Sequence, residues 1–424
     1  MSIVYQKHNC ILEIWFTLKN DSALLRLFRT IKSELNIRYI SIIILLCLTA
    51  ISYHPRFANF VIYEGGENPL NRYFYLMTVI CFGLHFSIKR WVVNEFIRTS
   101  GIWVIINVVF LAFLFFIGGS SQYISDLMSI IMALSFLLIG YNSRLTKNQL
   151  MLLVFIYSIV VAISTAFQII VNIGGFRIAD LYMQYGKNTL GLMTASSAIS
   201  TLFVTLESEK YLKKYGYMLF ILLLFLTITI RARAAFLTIF AVSTLLLYRK
   251  NKTSHKKIFT TKFYLVIGLF VFLLILISPN IFLKIGNYIY DSFTQNQGSD
   301  LTSDRATRNA VALKILTQHP LLGNIEGKQH YALVHNYLLR VLSSYGLLFS
   351  FPIICLYLLI VKTIFQYTIK NIPVINHLGF WVMTVPLIIS LAEPTFPFAP
   401  GTGIIFPFIL FGCSLWMCNK PDNL

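Results

Sequence analysis

Charged residues are scarce in this chain. Asp, Glu, Lys and Arg make up 12% of its 424 residues, whereas a soluble domain carries about 25%. Hydrophobic residues make up 57%, and apolar runs close to the ~20 residues that span a bilayer recur along the chain. This composition excludes an ordinary soluble protein and predicts an all-α, polytopic integral membrane protein that contacts the lipid bilayer.

The chain also lacks the usual signatures of metal, phosphate and hydrolytic sites. Its six cysteines have no CxxC or Cys/His metal spacing, so we interpret them as small core hydrophobes. No Gly-rich phosphate loop, HExxH motif or GxSxG motif is present. We therefore expect no metal site and no cofactor. The first residues show no pattern of a cleavable signal peptide either.

Acidic residues are fewer than basic ones: the chain has 16 Asp and Glu against 35 Lys and Arg, which gives a net charge of +19. Such an excess can indicate a nucleic-acid partner. Here the basic residues lie mostly in short loops between apolar runs, where they set membrane orientation, so we expect no nucleic-acid partner. Basic loops alternate with acidic or uncharged ones, which places both termini in the cytoplasm.

The apolar pattern predicts about twelve transmembrane helices in one bundle over residues 39–424. The predicted spans are 39–54, 73–88, 101–117, 123–141, 149–171, 188–206, 215–231, 233–248, 262–280, 336–361, 377–392 and 402–418. Residues 1–38 are predicted to be a cytoplasmic tail. Apolar and basic positions alternate over 23–32, which favours an interfacial amphipathic helix, with a solvated basic tail as the alternative.

The longest outer loop covers residues 281–335 and is expected to contain a short helix. Thr-Ser-Asp at 302–304 offers a cap and an acid for the first turn. Arg305 and Arg308 follow three residues apart and share one face, which we expect to pack on the bundle. Pro-Leu-Leu-Gly at 320–323 ends the helix and makes a turn.

Positive charges on the outer side are candidate functional residues, because arginine is costly at an apolar boundary. These residues are Arg177, Lys187, Arg231, Arg233, Arg305 and Arg308. Arg231 and Arg233 lie in a connection that predicts a tight helical hairpin. Residues two apart on a helix point nearly opposite ways, so one of the pair would face a shared cavity and the other would reach the headgroups. The alternative is that both are interfacial anchors.

His335 and Asn336 open the tenth span. The residues expected to fill its apolar faces are Tyr337, Leu338, Leu339, Leu342 and Gly346. A histidine at a span end is commonly an interfacial filler, but this one has arginines on flanking segments. Guanidinium groups suit phosphate oxygens, and a histidine can take a proton from a hydroxyl group. The set can therefore hold a diphosphate leaving group and activate an acceptor alcohol, with Asn336 orienting the histidine or binding a sugar.

Three motifs, in this order, resemble those of the bacterial O-antigen ligase and polysaccharide (O-antigen) polymerase superfamily. The sequence at 233–235 is similar to the family's arginine followed by small residues at an outer span end. Arg305 stands fifteen residues before the turn at 320–323, as the family's second arginine does. His-Asn at 335–336, followed by Gly-Leu-Leu at 346–348, is similar to its third motif.

Some positions depart from the family pattern. They are Ala232, Ala234, Asn309 and Ile325, where the family usually has serine, glycine, an aromatic residue and glycine. Arg231 is therefore a rival of Arg233 for the role of the first arginine.

The resemblance implies a glycosyltransferase of the bacterial inner membrane with a periplasmic active site. It implies inverting, metal-independent transfer of a glycan from undecaprenyl diphosphate, with a chain-length regulator as an expected partner. Arg233 and Arg305 would hold the diphosphate, and His335 would act as the base on the acceptor hydroxyl or position it. Substrate-binding roles are expected for Arg231, Arg308, Asn336, Arg177 and Lys187.

Several functions remain open within and beyond this resemblance. Gly-Lys-Asn-Thr-Leu-Gly at 186–191 resembles the corresponding segment of many polymerases, and the loop is compact for a ligase, so we favour a polymerase. The alternative is a ligase that gives the glycan to lipid A-core. A lipid-linked glycan flippase is less favoured, because transporters place ionisable groups near the midplane, whereas Asp126 and Arg340 are expected near outer span ends.

Overall fold

The computed structural model is helical throughout the residues that it describes. These are residues 36–52, 70–86, 94–118, 121–173, 187–208, 210–230, 232–253, 305–324, 334, 336–370, 373–393, 398 and 402–419. No β-strand occurs among them, which confirms the prediction of an all-α fold.

Twelve α-helices lie within these ranges. They are α1 (Ile37–Ile51), α2 (Asn71–Phe86), α3 (Glu95–Gly118), α4 (Ser121–Ser143), α5 (Lys147–Ile173), α6 (Lys187–Glu207), α7 (Lys210–Thr229), α8 (Arg233–Thr253), α9 (Arg305–Gln318), α10 (Tyr337–Phe365), α11 (Leu378–Ser390) and α12 (Ile405–Asn419). A short π-helix, Gln366–Lys370, continues α10. Short 3-10 helices at Ile375–His377 and Thr402–Ile404 lead into α11 and α12.

Each predicted span except the ninth coincides with one of these helices. The ninth span, 262–280, lies outside the described residues, as do the tail up to residue 35 and most of the loop 281–335. The predicted loop helix is confirmed, because α9 begins at Arg305 and ends at Gln318, two residues before Pro320. The predicted hairpin is also confirmed, since α7 ends at Thr229 and α8 begins at Arg233.

Within the described parts of the chain, five stretches are both long and apolar enough to cross a membrane. They are Glu95–Ile117, Tyr123–Ser143, Lys147–Ile170, Asn188–Glu207 and Tyr337–Ile369. The stretch in α3 is only 22% buried and exposes large apolar side chains, among them Phe116, which is 83% exposed. Apolar helices that turn such side chains outward are typical of membrane proteins.

Helix α6 is the central helix of the bundle. Its apolar stretch is 94% buried, and it contacts α5, α7, α8 and α11. Hydroxyl groups join it to its neighbours: Thr227 donates to Thr194 (3.0 Å), and Thr201 donates to Ser158 (2.9 Å). Such bonds between helices in a membrane contribute about 0.6 kcal/mol each, so they align the helices more than they stabilise them.

Helices α4 and α12 approach each other closely through small residues. A Cβ atom on Gly140 would lie 2.0 Å from the carbonyl oxygen of Ile409, and one on Gly412 would lie 2.0 Å from that of Leu137. Only glycine fits at these two crossings. Close approach of this kind drives helix association where lipid removes the hydrophobic driving force.

The two ends of α6 define the two ends of the bundle. At the Lys250 end, the ammonium of Lys250 on α8 forms an ion pair with Glu207 and donates to the carbonyl oxygen of Pro373 (3.2 Å). At the other end, which we call the Asn336 end, α6, α8, α10 and α12 begin and α11 finishes.

Candidate functional site

The start of α8 packs directly on the start of α6. A Cβ atom on Gly191 would lie 2.5 Å from the Cβ of Ala232 and 3.2 Å from that of Ala235. Arg233, the first residue of α8, is half-buried beside this contact. The first turns of two helices therefore meet at one place together with a guanidinium group, and both features favour an anion.

Asn336 caps α10 and ties it to α11. Its side-chain oxygen accepts from the backbone N–H of Leu339 (2.9 Å), and its amide nitrogen donates to the carbonyl oxygen of Leu391 (3.2 Å). These bonds fix the place where the chain enters α10, next to His335. The predicted contact of Asn336 with substrate stays a prediction.

Glu393 is a buried carboxylate at this end that was not predicted as a site residue. It is 4% exposed, and its Oε2 accepts from the side-chain amide of Asn188, near the start of α6 (2.8 Å). In the sequence, the only signal at Glu393 was an acidic residue in a predicted outer loop. Glu393 follows Leu391 by two residues, and Leu391 accepts a hydrogen bond from Asn336, so Glu393 lies close to Asn336.

A largely buried ion pair joins α10 to α4. Nη2 of Arg340 lies 2.9 and 2.8 Å from the two carboxylate oxygens of Asp126, and the Tyr345 hydroxyl donates to the same carboxylate. Arg340 is only 8% exposed. The sequence analysis placed each residue near an outer span end but predicted no partner for it. The signal was the presence of opposite charges at a similar expected depth in an apolar chain.

Gly346 interrupts α10, which corrects the prediction that it fills an apolar face of a continuous span. Its φ is +64°, in the left-handed region, and it divides α10 into residues 337–345 and a longer second part. Glycine takes this conformation without the steric cost that a Cβ brings.

The turn at 320–323 is hydrogen-bonded to the break in α10. Leu347 donates its N–H to the carbonyl oxygen of Pro320 (2.8 Å), and Leu348 donates to that of Leu321 (3.1 Å). Asn324, just after the turn, donates to the carbonyl oxygen of Ser343 (3.2 Å). The turn after α9 and the Gly-Leu-Leu segment of α10, two elements of the predicted motifs, are thus in contact.

Helix α9 packs on α10, and the face that carries Arg308 is turned inward. Ala312, one turn after Arg308, is fully buried, and Arg308 itself is half-buried. Arg305 is the first residue of α9, and Lys187 is the first residue of α6. Arg177, Arg231 and His335 fall in parts of the chain that are not described, so the choice between Arg231 and Arg233 stays open.

No protein-family model matches this chain, and no curated protein matches it. Among the described side chains, no group of three or more His, Cys, Asp or Glu lies together in a way that could hold a metal ion. This end of the bundle offers a half-buried arginine at two helix starts, two fixed asparagines, the buried carboxylate of Glu393 and the partly buried carboxylate of Asp126. These groups can bind an anion and orient a hydroxyl-rich ligand.

Proposed function

We propose that this protein is a glycosyltransferase of the O-antigen ligase and polysaccharide polymerase superfamily. The favoured activity is polymerisation: transfer of a glycan from undecaprenyl diphosphate to a lipid-linked repeat unit. The observation that carries the proposal is the hydrogen bonding of residues 320–321 to 347–348. It brings together α9, which begins with Arg305, and the part of α10 that follows His335, so two of the three predicted motifs share one region.

The third motif supports the same assignment. Arg233 lies at the Asn336 end, where α6 and α8 begin in close contact and where Asn336 joins α10 to α11. Polyprenyl diphosphate is an anion that matches arginine forks and the positive ends of helices. We therefore propose that all three motifs belong to one end of the bundle.

In the proposed reaction, Arg233 and Arg305 bind the diphosphate of the donor. His335 removes the proton from the acceptor hydroxyl, or orients that hydroxyl, as its oxygen attacks the anomeric carbon. The bond from that carbon to the diphosphate breaks on the opposite face, so the configuration inverts and undecaprenyl diphosphate leaves. The arginines stabilise the charge that develops on the leaving group, and this is how they lower the barrier.

The proposal includes a topology. The Asn336 end faces the periplasm, the Lys250 end and both termini face the cytoplasm, and about twelve helices span the inner membrane. The loop 281–335 is then periplasmic and brings α9 to the site. Arg231, Arg308, Asn336, Arg177 and Lys187 are proposed to contact substrate, and a chain-length regulator is the proposed protein partner.

The deciding experiment is deletion of the gene, followed by electrophoresis of the surface polysaccharide. Product with a single repeat unit supports a polymerase. Loss of polymer from lipid A-core, with long lipid-linked chains accumulating, would instead indicate the ligase. Donor trapped on the cytoplasmic side would indicate a flippase and overturn the transferase proposal.

Point variants test the proposed chemistry in the same strain. We expect Arg305→Ala and His335→Ala to abolish polymer while the protein accumulates normally in the membrane. The matched control is Arg249→Ala, since Arg249 lies at the opposite end of α8. Full polymer in either site variant would remove that residue from the reaction.

A further inference from the structure

The part of α10 before Gly346 behaves as a separate short helix. Residues 337–345 follow the capped start at Asn336 and end at the non-helical glycine. We call this part segment 337–345. Because the helix is broken at Gly346, the long second part of α10 does not by itself fix how this segment is oriented.

Hydrogen bonds tie segment 337–345 to its surroundings at three places. At its start, Asn336 donates to the carbonyl oxygen of Leu391 on the α11 side. Near its end, the carbonyl oxygen of Ser343 accepts from the N–H of Asn324. At the third place, Arg340 and Tyr345 both reach the carboxylate of Asp126 on α4. The last contact is the only one of these three that uses charge.

The contact with Asp126 is well suited to holding segment 337–345 in one orientation. A largely buried ion pair returns little net stability, because desolvation of both groups offsets their attraction. Its geometric demands are strict, however, since a carboxylate that loses its partners is left uncompensated in a medium of low dielectric constant. Two side chains from one short helix on a single carboxylate therefore restrict the rotation of that helix.

We infer that Asp126 is a positioning residue: through Arg340 and Tyr345 it fixes the orientation of segment 337–345 and so of Asn336 at its start, the residue that follows His335 in the sequence. Residues 336 and 340 lie one turn apart on the same face, so a rotation that releases Arg340 also moves Asn336. The effect on turnover rests on the proposed function, whereas the structural effect does not.

Hydrogen–deuterium exchange on the full-length protein without substrate tests the structural part. Asp126→Asn is expected to raise amide exchange over residues 336–346 and to leave α6 and residues 350–365 at wild-type rates. Tyr345→Phe keeps the ion pair and should show a smaller change in the same place. Glu207→Gln, in the ion pair at the Lys250 end, is the control and should leave 336–346 unchanged.

Steady-state kinetics with a lipid-linked repeat unit test the catalytic part. We expect Asp126→Asn to lower kcat about 100-fold, the effect of a misplaced catalytic group, with KM for the donor nearly unchanged. Unchanged exchange at 336–346, or a rise of equal size across α6 and all of α10, would overturn the inference, because Asp126 would then have no role or only a general structural one.

If the wild-type protein transfers no glycan, the proposed function fails while the exchange result still decides the role of Asp126. If Asp126→Asn does not accumulate, Tyr345→Phe decides the same question by the same readouts.

Discussion

The backbone N–H of Leu347 donates to the carbonyl oxygen of Pro320, and this bond explains why a turn and a helix break occur together. A broken helix in an apolar bundle leaves N–H groups that water cannot reach. Leu347 and Leu348 carry such groups, and the carbonyl oxygens of Pro320 and Leu321 accept from them. The Pro-Leu-Leu-Gly turn and the Gly-Leu-Leu segment are therefore one structural unit.

Replacement of Gly346 by alanine is expected to separate this unit. A Cβ there would lie 2.3 Å from the carbonyl oxygen of Leu321, and a non-glycine residue at this φ costs about 1–2 kcal/mol before any overlap. We expect a lower melting temperature in detergent and loss of polymer in cells. The control is Gly101→Ala in α3, where nothing lies within 4 Å of the added atom. Wild-type polymer from Gly346→Ala would show that the contact is dispensable.

Much of the fold could be predicted because it follows from local patterns. The apolar runs predicted the helices, and the capping residues and the proline around α9 predicted where this helix begins and ends. The pairing of Asp126 with Arg340 was not predicted, since 214 residues separate them and a similar expected depth in the membrane does not by itself bring two residues into contact. The burial of Glu393 is equally non-local. Gly346 was interpreted from its apolar neighbours, whereas its conformation depends on the distant turn that contacts it.

The ion pair of Lys250 with Glu207 is expected to stabilise the protein without affecting turnover. Lys250→Met leaves Glu207 uncompensated and removes the hydrogen bond to Pro373. We therefore expect the free energy of unfolding to fall by about 1–2 kcal/mol, a value between those of exposed and of buried ion pairs. Thermal melting of Lys250→Met, of Glu207→Gln and of the double variant measures the coupling energy between the two side chains. Activity per folded molecule should stay at the wild-type level, because the pair lies opposite the proposed site. A specific loss of turnover would contradict this separation of the two ends.

The contact of Gly191 with Ala232 is expected to set the position of Arg233. Gly191→Val adds a branched side chain where even a Cβ lies 2.5 Å from its neighbour, so the start of α8 must move. A charged hydrogen bond is worth about 1.5–3 kcal/mol, and its loss should raise KM for the lipid-linked donor by roughly tenfold or more. Gly83→Val in α2, with nothing within 4 Å, is the control. An unchanged KM would remove Arg233 from diphosphate binding.

The proposed orientation makes opposite predictions for two exposed lysines. Lys314 lies on α9, in the loop proposed to be periplasmic, and Lys147 begins α5 on the side proposed to be cytoplasmic. In a background without the six native cysteines, each is replaced singly, as Lys314→Cys and Lys147→Cys. A maleimide that crosses the outer membrane but not the inner one should label position 314 in intact cells and position 147 only after lysis. The reverse pattern would place the Asn336 end in the cytoplasm, where the lipid-linked repeat units proposed as substrates would not meet the site after their export.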